Sequence, residues 1–263
     1  MLGIFDSGLG GLTVVRQIER VFPRAGYIYL GDTARLPYGT KSFKTVERYA
    51  VDALKLLKKK GATTAVVACH TVSSVLAVNP AARRRCAALF PKSELFDVVA
   101  PALAGAKKAT RNRRIGVLGT ATTIRSGVYQ RALRGYTVVP VPASVLVALA
   151  EEGWAFRRGS GQGRYLIEPI LRNILKPFQQ KRVDTLILAC THFPLLERRI
   201  RDILGKKVVI IDPGAAVARA LRENAVAVRP GHRRFLATDV SADFSERASR
   251  FLGRSVRAEL VDL

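Results

Sequence analysis

The chain alternates short, β-branched apolar runs with longer stretches whose apolar residues recur at helical spacing. Runs at residues 3–5, 27–30, 64–68, 97–100, 114–118, 137–141, 185–189, 208–211 and 234–238 read as strands. After the second run, Val46, Tyr49, Ala50, Ala53, Leu54 and Leu57 fall on one face of a helix that Ser42 can cap and Gly61 can end. Strands joined by helices of this length require crossover connections, so the sheets are expected to be mainly parallel and covered by helices on both faces. The expected class is α/β.

A weak internal echo adds a second level of organisation. Val66-Val67-Ala68-Cys69 followed by His70-Thr71 is matched by Ile187-Leu188-Ala189-Cys190 followed by Thr191-His192. Ile4-Phe5-Asp6-Ser7-Gly8 opens the first half much as Val117-Leu118-Gly119-Thr120 sits in the second. Two related α/β units facing each other would bring equivalent strand ends to one cleft. Crossovers near Ala100 and Lys206 give the expected boundaries: residues 1–99 with 207–263 as one unit, and 100–206 as the other.

With 263 residues and 48% hydrophobic content, the chain is long enough for a sizeable core and too apolar for a disordered one. Its apolar runs are strand-length, and Met1 to Asp6 reads as an opening strand and not as a signal peptide, so a cytoplasmic location is expected. Three cysteines do not make a disulfide framework in a chain this long. The formal net charge of +24 has two readings: a footprint for nucleic acid or another polyanion, or a solvated surface. Basic residues are spread from Lys58-Lys59-Lys60 through Arg83-Arg84-Arg85, Arg111 to Arg114, Arg157-Arg158 and Arg198-Arg199 to Arg233-Arg234. Few aromatics are interleaved and no recognition helix appears, which favours the solvated surface.

Ligands of parallel α/β sheets sit at the carboxyl ends of strands. Four loops have that address: Asp6 to Gly11, Cys69-His70-Thr71, Gly119-Thr120-Ala121-Thr122 and Cys190-Thr191-His192. All are rich in small or hydroxyl residues, with free amide donors suited to a carboxylate. The glycines of the first loop do not make a nucleotide site: the Gly-Lys-Ser/Thr ending is missing, and Thr13 stands where a dinucleotide fingerprint needs its third glycine. Asp6 can be a base, an orienting group or a helix cap.

Cys69 and Cys190 each end a buried-looking strand and lead toward a helix, where a helix amino terminus favours thiolate. His192, two residues after Cys190, is close enough to act as its general acid or base. Cys86 has helix-interior surroundings and reads as structural. A zinc site built from Cys69, His70, Cys190 and His192 lacks the usual ligand spacing, so no metal is expected. A Cys-His nucleophile for acyl transfer is a further enzyme reading of the same residues.

Taken in chain order, several stretches resemble the bacterial glutamate racemases, within the wider aspartate/glutamate racemase group. They are Phe5-Asp6-Ser7-Gly8-Leu9-Gly10-Gly11-Leu12-Thr13, Tyr29 to Gly39 (YLGDTARLPYG), Ala68-Cys69-His70-Thr71, Gly119 to Gly127 (GTATTIRSG), Glu151-Glu152-Gly153 and Leu188 to Leu196 (LACTHFPLL). The resemblance covers nearly the whole chain. It implies two α/β domains related by pseudo-twofold symmetry, with the site between them, and a reaction that uses neither pyridoxal phosphate nor a metal. Cys69 and Cys190 would exchange protons with opposite faces of glutamate, Asp6 assisting Cys69 while Glu151 and His192 assist Cys190. Asp6, Ser7, Pro37, Tyr38, Gly39, His70, Thr71, Thr120, Thr191 and His192 would line the substrate site. D-Glutamate, the product, would feed peptidoglycan synthesis.

One departure stands out. The family usually has asparagine after the first cysteine, and here it is His70. An imidazole offers different hydrogen bonds and, if protonated, would lower the pKa of Cys69. Racemisation of aspartate or another amino acid is the alternative this motivates. The resemblance leaves a homodimer open. Some members of the family are associated with inhibition of DNA gyrase, but no motif here assigns gyrase or nucleic acid as a partner.

Overall fold

A computed structural model of the chain describes residues 1–90, 95–154, 162–242 and 244–263, the side chains of 162–166 excepted. Arg157 and Arg158 lie outside the described residues. Among the described residues ten strands form two sheets, and every pairing within them is parallel. The strands are β1 (Leu2–Asp6), β2 (Tyr27–Gly31), β3 (Thr64–Val67), β4 (Leu95–Asp97), β5 (Arg114–Gly119), β6 (Thr137–Pro142), β7 (Thr185–Ala189), β8 (Val209–Ile211), β9 (Arg233–Ala237) and β10 (Glu259–Leu260).

The six-stranded sheet has the order β10-β9-β2-β1-β3-β4 and the four-stranded sheet the order β6-β5-β7-β8. The second order repeats the core of the first, with β5 standing for β1, β6 for β2, β7 for β3 and β8 for β4. This is the faint sequence echo written as topology. In each sheet the chain leaves the first strand to one side and returns on the other. The crevice of each therefore opens between β1 and β3, and between β5 and β7.

Two expectations are corrected. Residues 97–100 are not a strand: β4 ends at Asp97, whose carboxylate accepts from the N–H groups of Val99 (2.9 Å) and Ala100 (3.1 Å) and starts the helix Val99–Ala109. The return to the first unit also comes later than residue 207. β8 pairs with β7, so the second sheet is completed before the chain crosses back through the helix Pro213–Glu223. A three-residue strand carries too little pattern to show which sheet it joins.

The helix predicted after Ser42 spans Phe43–Lys59, its first turn closed by the Ser42 hydroxyl accepting from the Thr45 N–H at 3.2 Å. Val46, Ala50, Ala53, Leu54 and Leu57 are fully buried along its inner face. Beyond Lys60, Gly61 has φ +96°, a left-handed conformation that a side chain would strain. Core residues of the first sheet pack in two layers, around Ile4, Tyr29 and Val66 on one face and Phe5, Leu30 and Val67 on the other. Those of the second do the same around Leu118 and Leu188, and around Val117 and Ile187. Successive residues of one strand thus supply opposite faces, and the strands are apolar throughout for that reason.

Candidate active site

The four loops singled out from sequence all leave the carboxyl ends of the central strands: two follow β1 and β3, and two follow β5 and β7. Hydrogen bonds join the two pairs. Thr71 and Thr120 share a hydroxyl contact of 3.2 Å, the Thr122 hydroxyl donates to the Gly39 carbonyl (2.7 Å), and the Thr13 hydroxyl to the Thr191 carbonyl (2.7 Å). The Thr191 hydroxyl reaches Asp6 Oδ1 at 3.4 Å. A Cβ on Gly10 would lie 2.4 Å from Thr191 Oγ1 and 2.5 Å from His192 Nδ1, so glycine is what lets these loops meet.

Cys69 is the residue before the helix His70–Val78, and its thiol reaches Ser7 Oγ at 3.5 Å. Only 4% of Cys69 is exposed. Burial, followed by the charge of Asp6, pushes its thiol up to about 12. The expected lowering at a helix amino terminus is therefore corrected: loss of water outweighs the Ser7 hydroxyl and the Val72 N–H, which both favour the thiolate. Asp6 itself is fully buried at the end of β1 and accepts from Gly8 N–H (3.1 Å) and Gly11 N–H (2.9 Å) through Oδ2. Burial raises its pKa against the pull of His192 and of those two bonds.

Cys190 follows β7 directly and is 5% exposed. Its Sγ lies 3.8 Å from His192 Nδ1, and His192 Nε2 lies 2.9 Å from Glu151 Oε1. Glu151 ends the helix Val145–Glu151, and its other oxygen meets Arg247 Nη2 at 3.0 Å. Burial opposes a charge on His192, but the bonds to Cys190 and Glu151 prevail and its pKa rises to about 10. For Glu151, burial is likewise overcome by His192 and Arg247, and its carboxyl titrates below the ordinary range. The two sides differ in kind. Cys69 faces an anion and an uncharged hydroxyl, whereas Cys190 faces an imidazole held by a carboxylate.

His70 is 3% exposed, and neither ring nitrogen has a hydrogen-bond partner among the described residues. Burial lowers its pKa to about 3, so it is neutral and does not bring the positive charge with which a protonated imidazole would have lowered the pKa of Cys69. Tyr38 is also placed differently from its simplest reading. Its ring packs between Phe5 and Tyr49 and its hydroxyl bonds the buried carboxylate of Asp32, leaving Gly39 against Thr120 and Thr122. Pro37 is exposed just before this turn. Cys86 is fully buried in the helix Pro80–Ala87, away from the four loops.

Three participants were not picked out from sequence. Asp32 belongs to the Tyr29 to Gly39 stretch; it accepts from Tyr38, from Arg35 Nε (2.5 Å) and from Thr238 Oγ1 (2.8 Å). Thr13, which stands where a dinucleotide fingerprint needs glycine, bonds the Gly10 and Thr191 carbonyls through its hydroxyl. Arg247 lies 96 positions from Glu151, too far for any local pattern to connect them. Among the described residues, no group of three or more His, Cys, Asp or Glu side chains is arranged to hold a metal ion. No helix among them is long and apolar enough to cross a membrane.

Residues 8–221 match the Asp/Glu/Hydantoin racemase family. A glutamate racemase of Aquifex aeolicus (strain VF5) is 38% identical over 262 residues, covering 99% of this chain and 97% of that protein. The crystal structure of glutamate racemase from Francisella tularensis subsp. tularensis SCHU S4 in complex with D-glutamate is similar at a TM-score of 0.84 and 28% identity, over 99% of this chain and 97% of that one. Glutamate racemase from Aquifex pyrophilus gives a TM-score of 0.80 at 35% identity, over 98% and 97% of the two chains. With two thiols at equivalent strand ends and likeness along its whole length, the chain belongs to the Asp/Glu/Hydantoin racemase family.

Proposed function

We propose that the protein interconverts L- and D-glutamate by proton transfer between the substrate α-carbon and the two cysteines, and supplies D-glutamate for peptidoglycan synthesis. The observation that carries this reading is the placement of two buried free thiols at equivalent strand ends of facing sheets, each with its own acid–base neighbours. Inversion at carbon needs a base on one face and an acid on the other, and reversal exchanges the roles.

In one direction, a thiolate at Cys190 takes the α-proton, forming an S–H bond and leaving the C–H electrons on the substrate carbanion. The Cys69 thiol then delivers its proton to the opposite face and becomes the thiolate. Proton exchange with solvent resets the pair. Cys69, whose thiol burial and the Asp6 charge push up to about 12, enters as the acid. For the reverse direction it must ionise, and the α-ammonium of bound glutamate brings the positive charge that favours this. Developing negative charge at the α-carbon spreads into the α-carboxylate, where backbone N–H groups and the hydroxyls of Ser7, Thr71, Thr120 and Thr191 supply preorganised donors. His192, hydrogen-bonded to Glu151, orients and exchanges protons with Cys190.

The test is exchange of the α-hydrogen in deuterated water, run separately from D- and L-glutamate without added cofactor. Cys69→Ala and Cys190→Ala should each lower racemisation by about 10²-fold or more. Racemisation that persists when both cysteines are alanine would remove the two-thiol mechanism. One observation favours a second substrate reading, aspartate or another amino acid: the His70 imidazole next to Cys69, which has no hydrogen-bond partner among the described residues. Rates on glutamate, aspartate and alanine under one set of conditions separate the two.

A further inference from the structure

The helix Phe244–Leu252 belongs to the chain's return to the first sheet. Phe244, Ala248, Phe251 and Leu252 pack into the same core as Leu2, Ile4 and Leu12. Two of its side chains nevertheless point at the acid–base group of the second sheet. Arg247 Nη2 is 3.0 Å from Glu151 Oε2, and the Phe251 ring stands edge-on to His192, centroids 5.4 Å apart at 90°. Glu151 is at the carboxyl end of its helix, where the dipole disfavours an anion, and its side chain is only 17% exposed. A carboxylate in that place needs a cation: protonated His192 is one, and Arg247 is the one that keeps its charge when His192 gives up a proton.

From this geometry we infer that Arg247 is a positioning residue for proton transfer at Cys190, holding Glu151 ionised so that His192 presents Nδ1 to the thiol. The inference rests on the racemase reading above. An ionised carboxylate only accepts, so the Glu151–His192 bond requires the hydrogen on Nε2. A neutral His192 then has its lone pair on Nδ1, 3.8 Å from Cys190 Sγ, where it can take and return the thiol proton. If Glu151 were protonated it could donate to Nε2 instead, and the neutral ring would turn its N–H toward the sulfur. Arg247 removes that option. Because Arg247 comes from the first unit, the Cys190 acid–base group is complete only while the two units are docked. Phe251 adds an apolar wall that limits rotation of the same ring.

Arg247→Gln keeps a polar side chain and removes the charge; Arg247→Lys restores it. For Arg247→Gln, kcat should fall on the order of tenfold, less than the loss from a group that itself transfers the proton, with KM nearly unchanged. The two directions must lose kcat/KM by the same factor, because enantiomers are equal in free energy. The α-deuterium isotope effect should rise in the direction in which Cys190 is the base and not in the other. The acidic limb of the pH profile should move toward neutrality, and Arg247→Lys should return it. The carboxyl titration of Glu151, followed by carbon NMR without substrate, should move upward in Arg247→Gln. That last measurement keeps the two readings apart: an inactive wild-type protein would refute glutamate racemisation, while an unshifted Glu151 titration would overturn the role of Arg247. Unchanged isotope effects and pH limb in an active, folded Arg247→Gln would also overturn it.

Discussion

Cys69 and Cys190 occupy the same place on their strands, but burial acts on them through different neighbours. Asp6 adds negative charge near Cys69, whereas His192 brings a proton-carrying ring to Cys190. The imidazole of His192 is the clearest case of a residue whose environment reverses the effect of burial. Its folded pKa, about 10, lies above the ordinary 6.5, so protonated His192 stabilises the fold fully below pH 6.5. That contribution is lost progressively as pH rises toward 10. The melting temperature is therefore expected to fall more steeply between pH 6.5 and 10 in the wild type than in His192→Gln. Equal slopes in thermal scans across that range would show that the ring gains no proton affinity on folding.

At the scale of the element, the loop after β1 does several jobs with small residues. Gly8 and Gly11 donate to Asp6, Thr13 fixes Gly10 and Thr191 carbonyls, and Gly10 leaves room for Thr191 and His192. Gly10→Ala would force a methyl group into atoms 2.4 and 2.5 Å away and displace the His192 ring from Cys190. Overpacking of this kind costs about 1–3 kcal/mol. The larger expected loss is in turnover, about tenfold or more, because the displaced atoms belong to the acid–base group and not to the core. Circular dichroism and melting curves recorded beside kcat would decide the matter: a fall in stability with full turnover contradicts this assignment.

For the whole molecule, the arrangement of charge and of contacts between sheets matters more than any one element. Exposed Arg111, Arg113, Arg114, Arg134, Lys181, Arg182, Lys206 and Lys207 stand at or just before the first residues of β5, β6, β7 and β8. This is the opposite end of the sheet from the loops bearing Thr120 and Cys190, and much of the +24 charge is therefore remote from the site. The sheets are instead tied at the site by hydroxyls, including Thr122 to the Gly39 carbonyl. A hydrogen bond of this type contributes about 1 kcal/mol net, a factor of about five in an equilibrium constant. Thr122→Val should raise KM by about that factor with little change in melting temperature; an unaltered KM would place this contact outside substrate binding.

Periodicity and turn chemistry were enough for the α/β class, for eight of the nine expected strand segments and for the Ser42-capped helix, because these depend on neighbours within a few residues. Only residues 97–100 were assigned to the wrong element, since Asp97 both ends a strand and caps a helix. The β10 pairing was unreadable, as two residues have no period. The strand-end position of Cys69 and Cys190 was also legible, with Asp6, Thr191 and His192 beside them. Their electrostatics were not. Whether a helix terminus or desolvation governs Cys69, whether His70 carries a charge, and whether β8 joins one sheet or the other all depend on what surrounds each group in three dimensions. The Arg247–Glu151–His192 chain is the extreme case. The order of residues determined which chemical groups end the strands; only the packing of distant segments, which sets water exclusion and charge neighbours, decided how those groups hold their protons.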